Sequence, residues 1–480
     1  MSHRYTKGAA VPILLAIAWV CLPTAARGQT DTWTGAGANS NWSTAANWSL
    51  GSAPASSSSS QIVFGGTTDL TPSMGANWSA DSITFKAGAG AFSLSSAGGE
   101  GLTTYGGGIV NNSSNAQSLL FQITTAANQT WSANTDTLSF SNIVTFGSNT
   151  LTIAGASNTT FNNQVDGSGS LVTSQSGTAT FNGEVNNGSG TVSATGTGHT
   201  VFNGQVNSSG GFSTSGSGSV SVTNSLELGS GSLTLGGSGT TNLTGAAINA
   251  GAISITGTGN QTISSVVNSS SFSQSGSGTT TISGSASNNP GTTTITGGKV
   301  VLANTSGNAL GSSVTVSGSG DLVFGANNQL PSYANVTLGT GGTLNLNGTS
   351  QTLNSLTVTG NSVIDFGASS SLTLSSLDLT GSSTLTVEGW TGSTDSFDAS
   401  LNPGSSGLAS VVFEPGNQTA TWGSGSITPT PEPRLYGILC VGFSLGALVL
   451  IRFGRKTGAV PRITDHRDVT LPPASRVQLG

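Results

Sequence analysis

Charge is what this sequence has least of. Only 6% of its 480 residues are Asp, Glu, Lys or Arg. Between residues 30 and 430 there are two cations, Lys86 and Lys299, against 15 acidic residues. The other ten Lys and Arg lie in the first 28 residues or after residue 433. A body with that balance carries no basic patch for a polyanion, so nucleic acid is excluded as a partner. Cysteine is nearly absent. Cys21 and Cys440 sit in apolar segments at the two ends, so the body between them has no disulfide and must be held by packing. Histidine is equally scarce: His199 is the only one in the body, and no His or Cys cluster suggests zinc. The Asp-bearing Gly-Gly-x-Gly-x-Asp calcium repeat is missing as well. No cofactor and no metal site is expected.

What is abundant is glycine, 71 residues of it, among Ser, Thr and Asn. That composition alone would suit a disordered tract. Residues 161–286 argue otherwise, because apolar residues fall into phased columns. One column is Phe161, Phe181, Phe202, Val222, Leu243, Ile263 and Ile282, with spacings of 20, 21, 20, 21, 20 and 19. A second is Leu171, Val192, Phe212, Leu233, Ile253 and Phe272; a third is Val165, Val185, Val206, Leu226, Ala247, Val267 and Ala286. A glycine column keeps step: Gly177, Gly198, Gly218, Gly239, Gly259, Gly278. A fixed period in this range marks a solenoid. The apolar runs are too short, too β-branched and too glycine-interrupted for helix. Short strands with Gly-Ser-Gly and Asn-Gly turns fit, about three per repeat. The expected fold is all-β: a right-handed parallel β-helix with coils of about 20 residues. Each coil buries its apolar face only against the next. At about 4.8 Å per coil, residues 120–390 would form a rod roughly 60 Å long.

The two ends read differently. Residues 1–28 form a signal peptide: Arg4 and Lys7, an apolar stretch at 11–22, then small residues with cleavage after Ala26 or Gly28. Acylation at Cys21 would need small residues where Trp19 and Val20 stand. Residues 29–119 are an aromatic-rich N-terminal cap with the first strands, containing Trp33, Trp42, Trp48, Phe64, Trp78 and Phe85. An open solenoid end must be covered, which gives these rings a capping role; the alternative is a platform for stacking sugars. Residues 120–390 hold the β-helix repeats, and 391–430 a closing segment and stalk. Residues 431–456 carry Pro431-Glu432-Pro433, then 17 uncharged residues at 435–451, then Arg452, Arg455 and Lys456. A helix of that length would be roughly 25 Å long, enough to enter the inner membrane with its basic flank in the cytoplasm. Gly442 and Gly446 have the spacing that pairs membrane helices, or are ordinary small residues. Residues 457–480 are a basic, disordered tail.

Two resemblances follow. Trp33-Thr34-Gly35, Asn41-Trp42-Ser43 and Ala46-Asn47-Trp48-Ser49 resemble the opening of secreted bacterial proteins built of autotransporter-associated β-strand repeats. The stretch 291–302, followed by Ala309-Leu310-Gly311, Val314-Thr315-Val316 and Leu322-Val323-Phe324, resembles one such repeat. That likeness implies a β-helical passenger and no catalysis. Pro431-Glu432-Pro433, the apolar segment and Arg452, Arg455 and Lys456 resemble the PEP-CTERM sorting signal. This implies an exosortase-type sorting peptidase as partner, in a Gram-negative bacterium that makes extracellular polysaccharide. Such signals usually stop near the basic cluster, whereas here residues 457–480 continue. A permanent anchor is the competing reading.

Catalysis finds little support in the residue types. Glycoside hydrolysis needs two carboxyls about 5–9.5 Å apart. Asp166 and Glu227 share a column three coils apart, too far; Asp166 and Glu184 are one coil apart, roughly 8 Å if both face out. Lyase chemistry wants a base with a cation nearby, and His199 and Lys299 are isolated in the sequence. The expectation is a non-enzyme: an exported structural or adhesive protein of the cell surface or polysaccharide matrix. A carbohydrate-binding or ice-binding module is the alternative, and a polysaccharide lyase or hydrolase ranks behind both. An ice face would need a regular threonine array, and the column Thr160, Thr180, Val201, Ser221, Asn242, Thr262, Thr281 is irregular.

Overall fold

The computed structural model of the chain describes residues 30–431. The signal segment 1–28, Glu432, Pro433, the apolar stretch 435–451, Arg452, Arg455, Lys456 and the tail 457–480 lie outside the described residues. Thr430 and Pro431 open a separate unit of which nothing further is described. Residues 30–429 form an all-β parallel solenoid of about 16 turns with almost no helix. Among the described residues no helix is long and apolar enough to cross a membrane.

One coil shows how the sequence makes the turn. Strand Thr178–Phe181 alternates outward and inward residues, with Ala179 and Phe181 buried. A corner leads to Val185–Asn186, where Val185 points in. A second corner holds the buried Asn187, whose Nδ2 donates to the Thr191 carbonyl at 2.9 Å and so ties the two ends of the corner together. Strand Val192–Ala194 follows, and a Gly-x-Gly corner closes the coil at Gly196 and Gly198. The next coil repeats this in register: Thr178 faces His199, Phe181 faces Phe202, Val185 faces Val206 and Val192 faces Phe212. The core is therefore a set of vertical ladders. Phe140, Phe161, Phe181 and Phe202 stack with ring centroids 4.8–4.9 Å apart, the spacing of the strands themselves. Outside, Asn182 donates to Asn162 and Asn203 donates to Asn182, both at 2.9 Å, so the exposed amides form a ladder too.

The first two apolar columns are the observed ladders, from Phe161 to Ile282 and from Leu171 to Phe272. The third departs in two places. Leu226 faces Ile248 rather than Ala247, because that coil carries an extra residue. Ala286 is exposed, and buried Asn288 ends the column instead: its Oδ1 accepts from the Val267 N–H at 2.9 Å and its Nδ2 donates to Ala309 at 3.0 Å. Glycine is stacked in two columns. A Cβ on Gly198, Gly218 or Gly239 would lie 1.9, 1.9 or 1.8 Å from the carbonyl oxygen of the glycine one coil earlier. A Cβ on Gly216, Gly237 or Gly257 would meet the glycine below it at 2.1, 1.9 or 2.1 Å. These corners need glycine for close approach of backbone, not for an unusual dihedral.

Both ends are closed. At the start, Trp33, Trp42, Trp48, Phe64 and Phe121 are essentially fully buried and Trp78 nearly so. At the finish, parallel stacking gives way to antiparallel pairing. Strand Gln418–Gly423 folds back on Val411–Phe413, and Ser426–Pro429 pairs with both Gln418–Gly423 and Ser396–Ala399. Reversing direction caps the unpaired edge that a further coil would otherwise have to cover.

Candidate functional surface

The N-terminal aromatics pack inward. The Trp33 and Trp48 rings meet edge to face at 5.2 Å, and Trp42 meets Trp78 at 5.5 Å and Phe121 at 6.2 Å. Trp33 Nε1 donates to the Asp69 carbonyl at 3.1 Å and Trp48 Nε1 to the Trp42 carbonyl at 2.6 Å. Buried Asn47 ties the loop: its Nδ2 donates to Asn39 and Asn41 carbonyls at 2.7 and 3.0 Å, and its Oδ1 accepts from the Gly37 N–H at 2.8 Å. The Asn-Trp-Ser pairs in this stretch are thus the parts of a plug. Their ring faces are spent on each other and present no platform to a sugar. Trp390, half-buried, plugs the other end between Phe366 and Phe413, at 5.0 and 5.2 Å.

The acidic candidates share one outward face. Asp166, Asn186, Asn207 and Glu227 occupy one register position, and Glu184 sits two residues before Asn186. Each carboxylate is held by a carboxamide: Gln164 donates to Asp166 at 2.6 Å, Asn207 to Glu184 at 2.5 Å, and Asn249 to Glu227 at 2.7 Å. The face is a carboxamide–carboxylate ladder in which Asn207 and Asn249 bond across coils, as in the Asn162–Asn182–Asn203 row, and Gln164 bonds within one. His199 lies on a different strand stack, with Nδ1 against the Ser219 hydroxyl. Lys299 pairs with Asp321 at 3.3 Å on that same stack, many coils later. Burial pushes the Asp321 carboxyl above its ordinary value; Lys299 opposes this, and Asp365 adds to it by repulsion. Among the described residues no group of three or more His, Cys, Asp or Glu is placed to hold a metal ion. His199 and Lys299 therefore do not join the acidic face.

The feature that sequence reasoning missed is a hydroxyl rank on the third strand stack. Ser193, Ser213, Thr234, Ser254, Ser273, Thr294, Thr315, Thr337 and Thr357 face one another in unbroken register across consecutive coils. Two residues on, just past the end of each strand, comes a second row: Thr195, Ser215, Gly236, Thr256, Ser275, Thr296, Ser317, Gly339 and Thr359. The signal was present as Ser/Thr-x-Ser/Thr pairs in phase with the second apolar column, but the threonines weighed lay on another face. No charged residue occurs in either row, and Asp378 ends the first one. At its far end the second row runs into a groove of about 490 Å³ lined by Thr340, Thr359, Asn361, Thr380, Ser382 and Ser383, among others. Compared with known protein families, curated proteins and solved structures, the chain matches none.

Proposed function

We propose that this chain is an exported structural or adhesive protein, a rod that serves the cell surface or extracellular polysaccharide matrix of a Gram-negative bacterium without catalysing a reaction. The observation that carries the reading is that the solenoid closes just ahead of the motif. The last described strand, Ser426–Pro429, completes the closing hairpin, and Pro431 is exposed two residues later. A sorting motif that begins directly after a finished cap leaves the rod intact when it is cut. Two prolines around Glu432 keep that segment extended, the form in which a peptidase takes its substrate.

In this reading residues 1–28 direct export and the helix at 435–451 holds the chain in the inner membrane. An exosortase-type peptidase then releases it near Pro431-Glu432-Pro433, with Arg452, Arg455 and Lys456 marking the cytoplasmic side. The right-handed sense of the coils belongs to the same proposal. Tying of Asp166, Glu184 and Glu227 to amides favours a solvated ladder over an acid–base pair.

The test is genetic. Replacing Pro431-Glu432-Pro433 with three alanines should leave full-length protein in the inner membrane of the native host, while the wild-type rod reaches the surface without a tag placed after Gly480. If the tag stays on surface-exposed protein and the alanine variant behaves identically, sorting is wrong and a permanent anchor remains.

A further inference from the structure

The matrix reading leaves open what the rod holds, and the hydroxyl rank bears on that. Nine coils at about 4.8 Å make a strip roughly 38 Å long, and the two rows within it lie roughly 7 Å apart along the strands. Its side chains are half-exposed or exposed, and several of its hydroxyls donate to a backbone carbonyl one coil earlier, as Thr195 does to Thr173, Thr296 to Gln274 and Thr359 to Leu338, which leaves their lone pairs as acceptors for a ligand. Two features select the partner. First, the body is acidic, with 15 carboxylates against two lysines, yet this strip carries no charge over nine coils. A polyanion would be repelled by the body, and a polycation would be better served by the carboxylate ladder. Second, the strip ends in a concavity of ligand size, about 490 Å³, whose lining is also neutral. Thr359 belongs to the strip's second row and to the groove wall alike, and Thr380, one coil beyond it, continues the wall, so strip and groove are one surface.

We infer that this surface binds a neutral, extended polysaccharide chain lying along the solenoid axis, with a terminal or branching sugar in the groove. A polyhydroxylated chain offers hydroxyl donors to those acceptors, repeated at short intervals. With the N-terminal tryptophans buried in the cap and Trp390 packed between Phe366 and Phe413, affinity comes from many weak hydrogen bonds rather than ring stacking, each net about 0.5–1.5 kcal/mol. Binding should therefore depend on the length of both partners. The inference rests on the proposed matrix role and supplies its partner.

The experiment uses the full chain in detergent, run on native gels containing hydroxyethylcellulose, a neutral glucan, or alginate, an anionic one. Hydroxyethylcellulose should retard it and alginate should not. The triple variant Thr315→Val, Thr337→Val, Thr357→Val keeps β-branched side chains and should weaken retention at least about tenfold. The control triple Thr160→Val, Thr180→Val, Thr281→Val, on another face, should bind as wild type. Thr359→Trp, at an exposed position, should block the groove and weaken retention even if the triple variant misfolds. Equal retention by both triples, preference for alginate, or no retardation by either polymer overturns the inference. So does thermal hysteresis that depends on the same threonines without glycan retention, which would make ice the occupant. Surface location in the host is measured separately, so loss of glycan binding leaves the sorting proposal standing.

Discussion

Phe181 offers the sharpest test of the coil register. Its ring is fully buried, with centroids 4.8 Å from Phe161 and 4.9 Å from Phe202, while the next residue, Asn182, is exposed and its side chain bonds other surface amides. Phe181→Ala removes a core ring and leaves a cavity, which costs about 3–5 kcal/mol. Two stacked neighbours lose a partner at once, which places this site at the upper end of that range. Asn182→Ala breaks two amide contacts that water replaces, and should cost under about 1 kcal/mol. Coils touch only their neighbours, so the damage in Phe181→Ala should be centred on the coils around it. Urea unfolding followed by far-ultraviolet circular dichroism would compare the midpoints. Phe181→Asp and Asn182→Asp exaggerate the contrast, since a buried unpaired charge costs several kcal/mol. Equal shifts for the two positions would refute the inward and outward assignment.

Gly218→Ala should destabilise strongly, because its Cβ would sit 1.9 Å from the Gly198 carbonyl oxygen, whereas Gly423→Ala, with open space around it, should change the melting temperature little; similar melting temperatures for the two variants would remove the close-approach explanation. Asp321→Asn should raise stability at pH 7. Burial raises the folded-state pKa of Asp321 despite Lys299, so the protonated acid is favoured on folding and stability falls as pH climbs from the usual aspartate range through the raised value. The advantage of Asn over Asp should shrink as the pH drops below that window, and an advantage that instead grows in acid would reverse the argument. No reducing ends or unsaturated products should appear when the protein is incubated with pectin, alginate or the host matrix polysaccharide; turnover abolished by Asp166→Ala or Glu184→Ala would show the ladder to be an active site.

The fold was legible where the coils are uniform. From Phe161 to Ile282 each coil spends nearly the same number of residues, so inward positions recur at a constant interval and name the register directly. Legibility fails where spacing varies. Thr30 faces Gln61, 31 residues away, whereas Gln61 faces Ser82 after 21, so loop insertions hide the first coils from a periodicity search. The third column slipped at Ile248 for the same reason, and at Asn288 because a buried amide does an apolar residue's job by satisfying two backbone groups. The caps were legible as aromatic clusters, since a solenoid end must be covered, but ring direction depends on tertiary packing. The hydroxyl rank was hidden by composition: in a chain this rich in Ser and Thr, only the register distinguishes an aligned row from a scattered one.

The most direct test of the account is the mass and location of the mature protein in its native host. Intact-mass spectrometry of the surface or matrix fraction should find a chain that starts after Ala26 or Gly28 and ends near Pro431-Glu432-Pro433. A chain of the full 480 residues, or one that keeps Gly480 while exposed at the surface, would contradict it.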